Sequence, residues 1–218
     1  FQDIRVDFQP GSEAGREHLV IGVDEARTGA FVIGGGVSTT AGFFGNISLT
    51  QRNFDITDLP TSWKDFLEGR AFTGAGQQMT ITLQPGRQRS QYSVEFVEPW
   101  LFGYPILFEA EGYARDRVRE DWLEQRRGGR FTLGYRITQD LIYRATYRIE
   151  RVHIADIEPS AVPDVLDVAG TSYVGSLRHS LTYDQNRIDG DFVVHGGYAA
   201  TVYYEMADRA LASDYDFH

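Results

Sequence analysis

The chain has no cysteine among its 218 residues, which removes disulfide frameworks, thiol nucleophiles and thiolate metal sites together. Positive charge is in the minority. Lys and Arg total 21 against 31 Asp and Glu, a formal charge of −10, and such a balance lacks the basic footprint of a general nucleic-acid binder. Long apolar runs are scarce: the longest, Trp100 to Phe108, is broken by Gly103 and Pro105 and falls short of the roughly 20 residues of a membrane helix. The opening residues Phe1, Gln2 and Asp3 carry none of the zones of a signal peptide. The expectation is a protein that stays inside, or an excerpt of a longer one.

Chemistry motifs are thin as well. The five histidines, His18, His153, His179, His195 and His218, include no i, i+4 pair of the zinc-binding kind, so no metal site and no cofactor is expected. Gly170-Thr171-Ser172-Tyr173-Val174 misses the last glycine of a nucleophile elbow and reads as loop. Gly74-Ala75-Gly76 lacks the third glycine and following helix of a dinucleotide fingerprint and reads as a turn. Pairing of Ser180 with a distant histidine stays open as a hydrolase reading, but the residues favour a protein that is not an enzyme.

What the chain has in quantity is glycine, tyrosine, phenylalanine and alternation. Gly contributes 23 residues, and Tyr and Phe together 26, the composition of a turn-rich β protein. Leu141, Tyr143, Ala145, Tyr147 and Ile149 alternate with Arg144, Thr146, Arg148 and Glu150, the period of two of a pleated strand with one apolar face. Met79, Ile81 and Leu83, then Tyr92, Val94 and Phe96, repeat the pattern on either side of the turn signal Pro85-Gly86. Phe108 alternates with Glu109 and Glu111, and Phe131, Leu133 and Tyr135 alternate with Arg130, Thr132 and Arg136. With Phe31 to Ser38, Gly45 to Arg52, Leu177 to Tyr183 and Tyr198 to Glu205 added, about nine strands of roughly 8–11 residues are expected. Short turns make them consecutive and antiparallel. One helix is expected, Trp63 to Arg70, with Ser62 as its N-cap.

Alternation alone fits two architectures: a soluble sandwich with its apolar faces turned inward, or a membrane barrel with apolar residues outward and charge in a wet lumen. Arg115 to Arg151 holds ten Arg and six acids. Arg136, Arg144 and Arg148 fall on polar strand faces, while Arg115, Arg117, Arg119, Arg126 and Arg127 are expected to flank a loop with Glu120, Asp121 and Glu124.

A family resemblance chooses between them. Glu25-Ala26-Arg27-Thr28-Gly29, then Gly34-Gly35-Gly36-Val37-Ser38, then Gly42 to Phe54 resemble the junction between the last POTRA module and the first barrel strands of the BamA family of outer-membrane assembly factors. Gly74-Ala75-Gly76-Gln77 opening a strand, Glu98-Pro99-Trp100-Leu101-Phe102 at a turn, and Ser180-Leu181-Thr182-Tyr183-Asp184 are similar to positions that punctuate this barrel. Asp55 to Trp63 resembles an insertion of planctomycete-type members, whereas Asp184-Gln185-Asn186-Arg187 departs from the family's usual turn.

The resemblance implies an all-β antiparallel meander forming part of a transmembrane β-barrel, about nine of sixteen strands. Residues 1–27 would be the closing hairpin of a POTRA module and residues 28–218 the N-terminal portion of the barrel. It implies folding and insertion of outer-membrane proteins in the bacterial outer membrane, with a signal peptide lying outside this stretch. The implied partners are unfolded barrel clients, periplasmic assembly lipoproteins and outer-membrane lipid, with no nucleic acid. Gly29, Phe31, Ile33, Gly34, Gly35, Gly36 and Val37 would form the lateral-gate strand that pairs with clients. Read from the residues alone, Gly34 to Gly36 mark a bend or bulge. Met79, Ile81, Leu83, Tyr92, Val94, Phe96, Phe108, Phe131, Leu133, Tyr135, Tyr143 and Tyr147 would face lipid. Glu95, Glu109, Glu111, Arg136, Arg144 and Arg148 would face the lumen. Alternatives are a TamA-like or two-partner-secretion translocation pore and a soluble β-sandwich binding module.

Overall fold

The structure is a computed structural model and describes residues 3–11, 17–24, 28–39, 42–67, 71–159, 163–185, 187–188 and 194–218. Residues 25–27 of the junction, residues 68–70 of the expected helix and Asn186 lie outside the described residues.

Two strands, β1 (Asp3–Pro10) and β2 (Glu17–Asp24), form a separate antiparallel hairpin. Its register sets Ile4, Val6 and Phe8 opposite Val23, Ile21 and Leu19; Ile4, Val6, Phe8, Leu19 and Ile21 are exposed, Phe8 by 68%. A two-stranded hairpin with an uncovered apolar face is marginal by itself.

Nine further strands form one sheet. They are β3 (Gly29–Ser38), β4 (Gly42–Phe54), β5 (Thr73–Gln84), β6 (Arg89–Glu98), β7 (Ile106–Val118), β8 (Leu123–Arg136), β9 (Leu141–Ala155), β10 (Gly170–Asp184) and, after a small excursion of β11 (Arg187–Ile188) and β12 (Val194–Gly196), β13 (Ala199–Met206). Each pairs antiparallel with its sequence neighbours, so β3 and β13 are the two edges. The sheet is an unclosed meander. Several strands exceed the expected length, reaching 15 residues in β9 and β10.

Burial excludes the sandwich. The accessible surface is 15597 Å² for 24.6 kDa, against about 10,000 Å² for a compact soluble protein of that mass. No side chain larger than Ser176 is fully buried among the described residues. A sandwich of nine strands would bury two apolar faces against each other; here both faces are open.

The meander puts the connections at 55–72, 99–105, 137–140 and 185–198 at the end where the chain enters β3, called here the near end. Those at 39–41, 85–88, 119–122 and 156–169 lie at the far end. The 55–72 connection contains α1 (Trp63–Leu67), whose start is capped as expected, Asp65 N donating to Ser62 Oγ at 3.2 Å. Phe54 and Phe72 stack at its base with centroids 5.5 Å apart.

Arg115 and Arg117 on β7 and Arg126 and Arg127 on β8 flank the turn of Arg119, Glu120, Asp121 and Trp122, as expected, with Glu124 on β8. Two loop readings are corrected. Gly170 to Val174 opens β10, because β9 extends to Ala155 and offers it a partner. Gly74 to Gly76 belongs to β5, where the register against β4 shifts; Gly74 has φ 125° and Gly76 φ 74°, backbone that glycine adopts freely. Gly34 to Gly36, by contrast, stay in an unbroken ladder with no bulge.

Candidate functional site

In an antiparallel sheet, residues directly paired across strands share a face. One row runs Met79, Phe96, Ala110, Phe131, Tyr147, Leu177 and Met206. Parallel rows carry Ile81 with Val94, Leu83 with Tyr92, Phe108 with Leu133, and Tyr135 with Tyr143. All twelve residues expected to be apolar-facing therefore lie on one side. That side is partly or fully exposed, Phe131 by 49% and Leu133 by 50%.

The opposite side is polar and concave. Glu95, Glu111, Arg130, Arg148 and Ser176 form one row, and Glu109, Thr132, Thr146, Arg178 and Glu205 the next. These residues and Arg144 line one cleft of about 330 Å³. Of the six residues expected on this side, Glu95, Glu109, Glu111, Arg144 and Arg148 meet in the cleft. Arg136 sits at the near-end rim and donates to the Gln139 carbonyl at 2.8 Å.

Ion pairs knit the cleft. Arg130 Nε donates to Glu111 Oε2 at 2.7 Å. Glu205 on the edge strand accepts from the Ser176 hydroxyl at 2.7 Å, from Arg178 Nε at 2.8 Å and from Arg148 at 3.3 Å. Deeper, Glu150 is 2% exposed and accepts from the Tyr113 hydroxyl and from Arg126 Nη1, both at 2.8 Å. Tyr113 and Glu150 stand on β7 and β9, and the residue between them on β8 is Gly128. A Cβ there would lie 2.5 Å from the Ile149 carbonyl oxygen and 3.1 Å from Tyr113 OH, so glycine is what lets the phenol cross. Sequence reading missed this trio. Glu150 showed as a polar-face residue, but its partner depends on the register of three strands.

One of the two sheet edges is β3. Its ladder to β4 runs from Gly29 opposite Gln51 to Ser38 opposite Gly42, and its other side has no strand among the described residues. Thr28 anchors its start: the Thr28 carbonyl accepts from Arg52 N at 2.8 Å, and its hydroxyl from Gln51 Nε2 at 2.8 Å. Phe31, Ile33 and Val37 share the apolar side and are 65, 70 and 80% exposed. On the polar side the Phe44 ring covers Gly36, where a Cβ would come within 2.9 Å, whereas Gly34 has nothing within 4 Å.

Among the described residues no His, Asp or Glu cluster is placed to hold a metal ion. Ser180 shares the polar side with Arg144, while His179, paired with Ala145, lies on the apolar one; its Nδ1 is 2.6 Å from Tyr143 OH.

Comparison with known proteins gives this sheet a family. The sequence profile of the Omp85 superfamily domain matches residues 72–218. The chain belongs to the Omp85 superfamily. "Outer membrane protein assembly factor BamA" of Neorickettsia risticii (strain Illinois) is similar, 27% identical over 183 residues, covering 83% of this chain and 22% of that relative. The crystal structure of BamA from Haemophilus ducreyi lacking POTRA domains 1-3 matches with a TM-score of 0.64 at 12% identity, covering 97% of this chain and 40% of that one. That likeness establishes the fold. This Omp85-superfamily chain spans about a fifth of the curated relative's length.

Proposed function

We propose that this chain is the N-terminal portion of an outer-membrane β-barrel that folds and inserts other outer-membrane proteins, with β3 as the strand that pairs with clients. The observation that carries the reading is β3, the first strand of the sheet, which holds Gly34 to Gly36 in an unbroken ladder with β4. In a bilayer an unpaired backbone N–H or C=O costs several kcal/mol. A client strand that adds to an existing edge satisfies those groups as it enters lipid. Glycines weaken a strand interior, so such an edge can exchange its own partner for a client's.

The apolar side, Met79 to Tyr147, then meets lipid, and Glu95, Glu109, Glu111, Arg136, Arg144 and Arg148 meet water in the lumen. Exposed aromatics support the placement, since Trp63, Trp100, Phe102, Tyr104 and Tyr198 gather in the near-end connections as in an interfacial girdle. Residues 1–27 are the last strands of a POTRA module on the periplasmic side, and seven or so further strands complete a sixteen-strand cylinder. Unfolded barrel proteins are the clients, and periplasmic lipoproteins and outer-membrane lipid the partners. The chain does no bond-making chemistry.

Residues 1–218 contain no cysteine, and any cysteine elsewhere in the full-length protein is first replaced by serine. In the full-length protein, single cysteines replace Phe31, Ile33, Gly35 and Val37 in turn, and a second is scanned along the last strand of a stalled barrel client. Disulfides need Cα atoms about 4.4–6.8 Å apart, so strand pairing gives one fixed register that moves in step with the cysteine. Client crosslinks confined to lumenal positions such as Glu95 and Arg148, with none along β3, would refute the insertase reading and favour a translocation pore.

A further inference from the structure

At the far end of the polar side, the rows above Tyr113 change character. Arg89 on β6 lies directly opposite Arg117 on β7, and Arg115 on β7 directly opposite Arg126 on β8. Like charges directly opposite one another work against the sheet, so two such pairs in adjacent rows need a reason. Arg89, Arg115, Arg117, Arg119 and Arg126 line one cleft of about 300 Å³ with only Asp116 and Glu124 as acids, a surplus of three positive charges in a chain of net −10.

The acids present are largely spoken for. Glu124 accepts from Arg126 Nε and lies 3.8 Å from Arg119, Arg126 also bonds Glu150, and Asp116 lies 2.7 Å from Arg127. Arg115 and Arg117 have no carboxylate partner among the described residues. The buried Nε atoms of Arg115 and Arg119 have no hydrogen-bond acceptor. Arg115 is held over the Tyr113 ring at 4.4 Å and Arg119 over Trp122 at 5.8 Å, so aromatic faces fix two of the guanidiniums before any ligand arrives.

We infer that this cleft is an anion site for a phosphate group, held chiefly by Arg115 and Arg117 with Arg89 and Arg119 beside them. Planar guanidinium forks suit tetrahedral phosphate oxygens, two at a time, and a dianion would relieve both like-charge pairs at once. Two sources share this chemistry, a soluble phosphate ester in the lumen and a phosphorylated glycolipid of the outer leaflet, whose headgroup would have to reach over the far-end rim to the lumen side. The far end is the outward one if residues 1–27 are periplasmic, and only the glycolipid source rests on that reading of the protein.

The test uses the full-length protein in phosphate-free detergent and in nanodiscs. Calorimetric titration with pyrophosphate reads the soluble source; native mass spectrometry of nanodiscs with diphosphoryl lipid A, or with its dephosphorylated form, reads the lipid source. Retention of pyrophosphate or of diphosphoryl lipid A, weakened at least tenfold in Arg115→Gln/Arg117→Gln and unchanged in Arg130→Gln, supports the site and identifies the source. Gel mobility of unheated samples shows that each variant is folded, and Arg117→Gln alone serves if the double variant is not. Binding by neither probe, retention equal in the double variant, or acetate competing as well as pyrophosphate would each overturn it.

Discussion

Replacing Phe131 by Arg while replacing its neighbour Arg130 by Leu tests which side of the sheet meets lipid. Phe131 is the ninth of fourteen residues in β8, about 4 Å from mid-height for a strand rising ~3.4 Å per residue at ~45° tilt. An arginine at that depth on the lipid side costs about 2–4 kcal/mol. Arg130 is on the polar side, its side chain 46% exposed beside Glu111, and an ion pair that wet contributes about 0–1 kcal/mol. The two substitutions thus differ by about 1–4 kcal/mol, at least about fivefold in the folding equilibrium at 1.4 kcal/mol per decade. Guanidinium unfolding of the full-length protein in phosphatidylcholine vesicles, followed by tryptophan fluorescence and by gel mobility of unheated samples, reads both. A Phe131→Arg variant within about 0.5 kcal/mol of the parent, beside an Arg130→Leu variant that loses more, would invert the faces and refute the reasoning.

Gly128→Ala pushes a methyl against the Ile149 carbonyl and Tyr113 OH; overpacking of this kind costs about 1–3 kcal/mol, and a crystal or electron-microscopy structure should show the Tyr113–Glu150 hydrogen bond broken. Glu150→Gln keeps an acceptor for Tyr113 but withdraws the charge facing Arg126, and a loss of about 1–2 kcal/mol in the same unfolding assay is expected; a stabilised variant would show that the buried carboxylate is a burden. Gly34→Val should leave folding intact, because nothing lies within 4 Å, and should slow client insertion by stiffening the edge, whereas Gly36→Val meets the Phe44 ring and should lower stability itself. Insertion rates into vesicles, set against unfolding midpoints, separate the two. Hydrogen bonds from the Thr57 hydroxyl and backbone N–H hold the Asp55 carboxyl below its ordinary value of 3.8. The turn they stabilise is at full strength above pH 3.8 and loosens as pH falls through the lower folded value; an amide protection factor at Thr57 that is higher in acid than in neutral solution, after correction for the intrinsic exchange rate, would contradict this.

Much of the sheet was legible because its determinants are local. Period-two alternation places Tyr143 and Arg144 on opposite sides whatever lies next to β9, and turns such as Pro85-Gly86 force neighbours to run antiparallel. Legibility failed where local signals were diluted. Gly170 to Val174 read as loop because strand character there comes from pairing with β9. The hairpin of β1 and β2 paired as expected, while its assignment to a POTRA module stays a matter of the proposal.

The sequence by itself determined which residues share a side of each strand, since a pleat alternates regardless of partners. It could not determine whether the apolar sides face one another or the outside; that took the open sheet with almost nothing buried. Nor could it bring Tyr113 to Glu150 across Gly128, or Arg115 opposite Arg126, because cross-strand neighbours are set by register, and register is a property of several strands packed together.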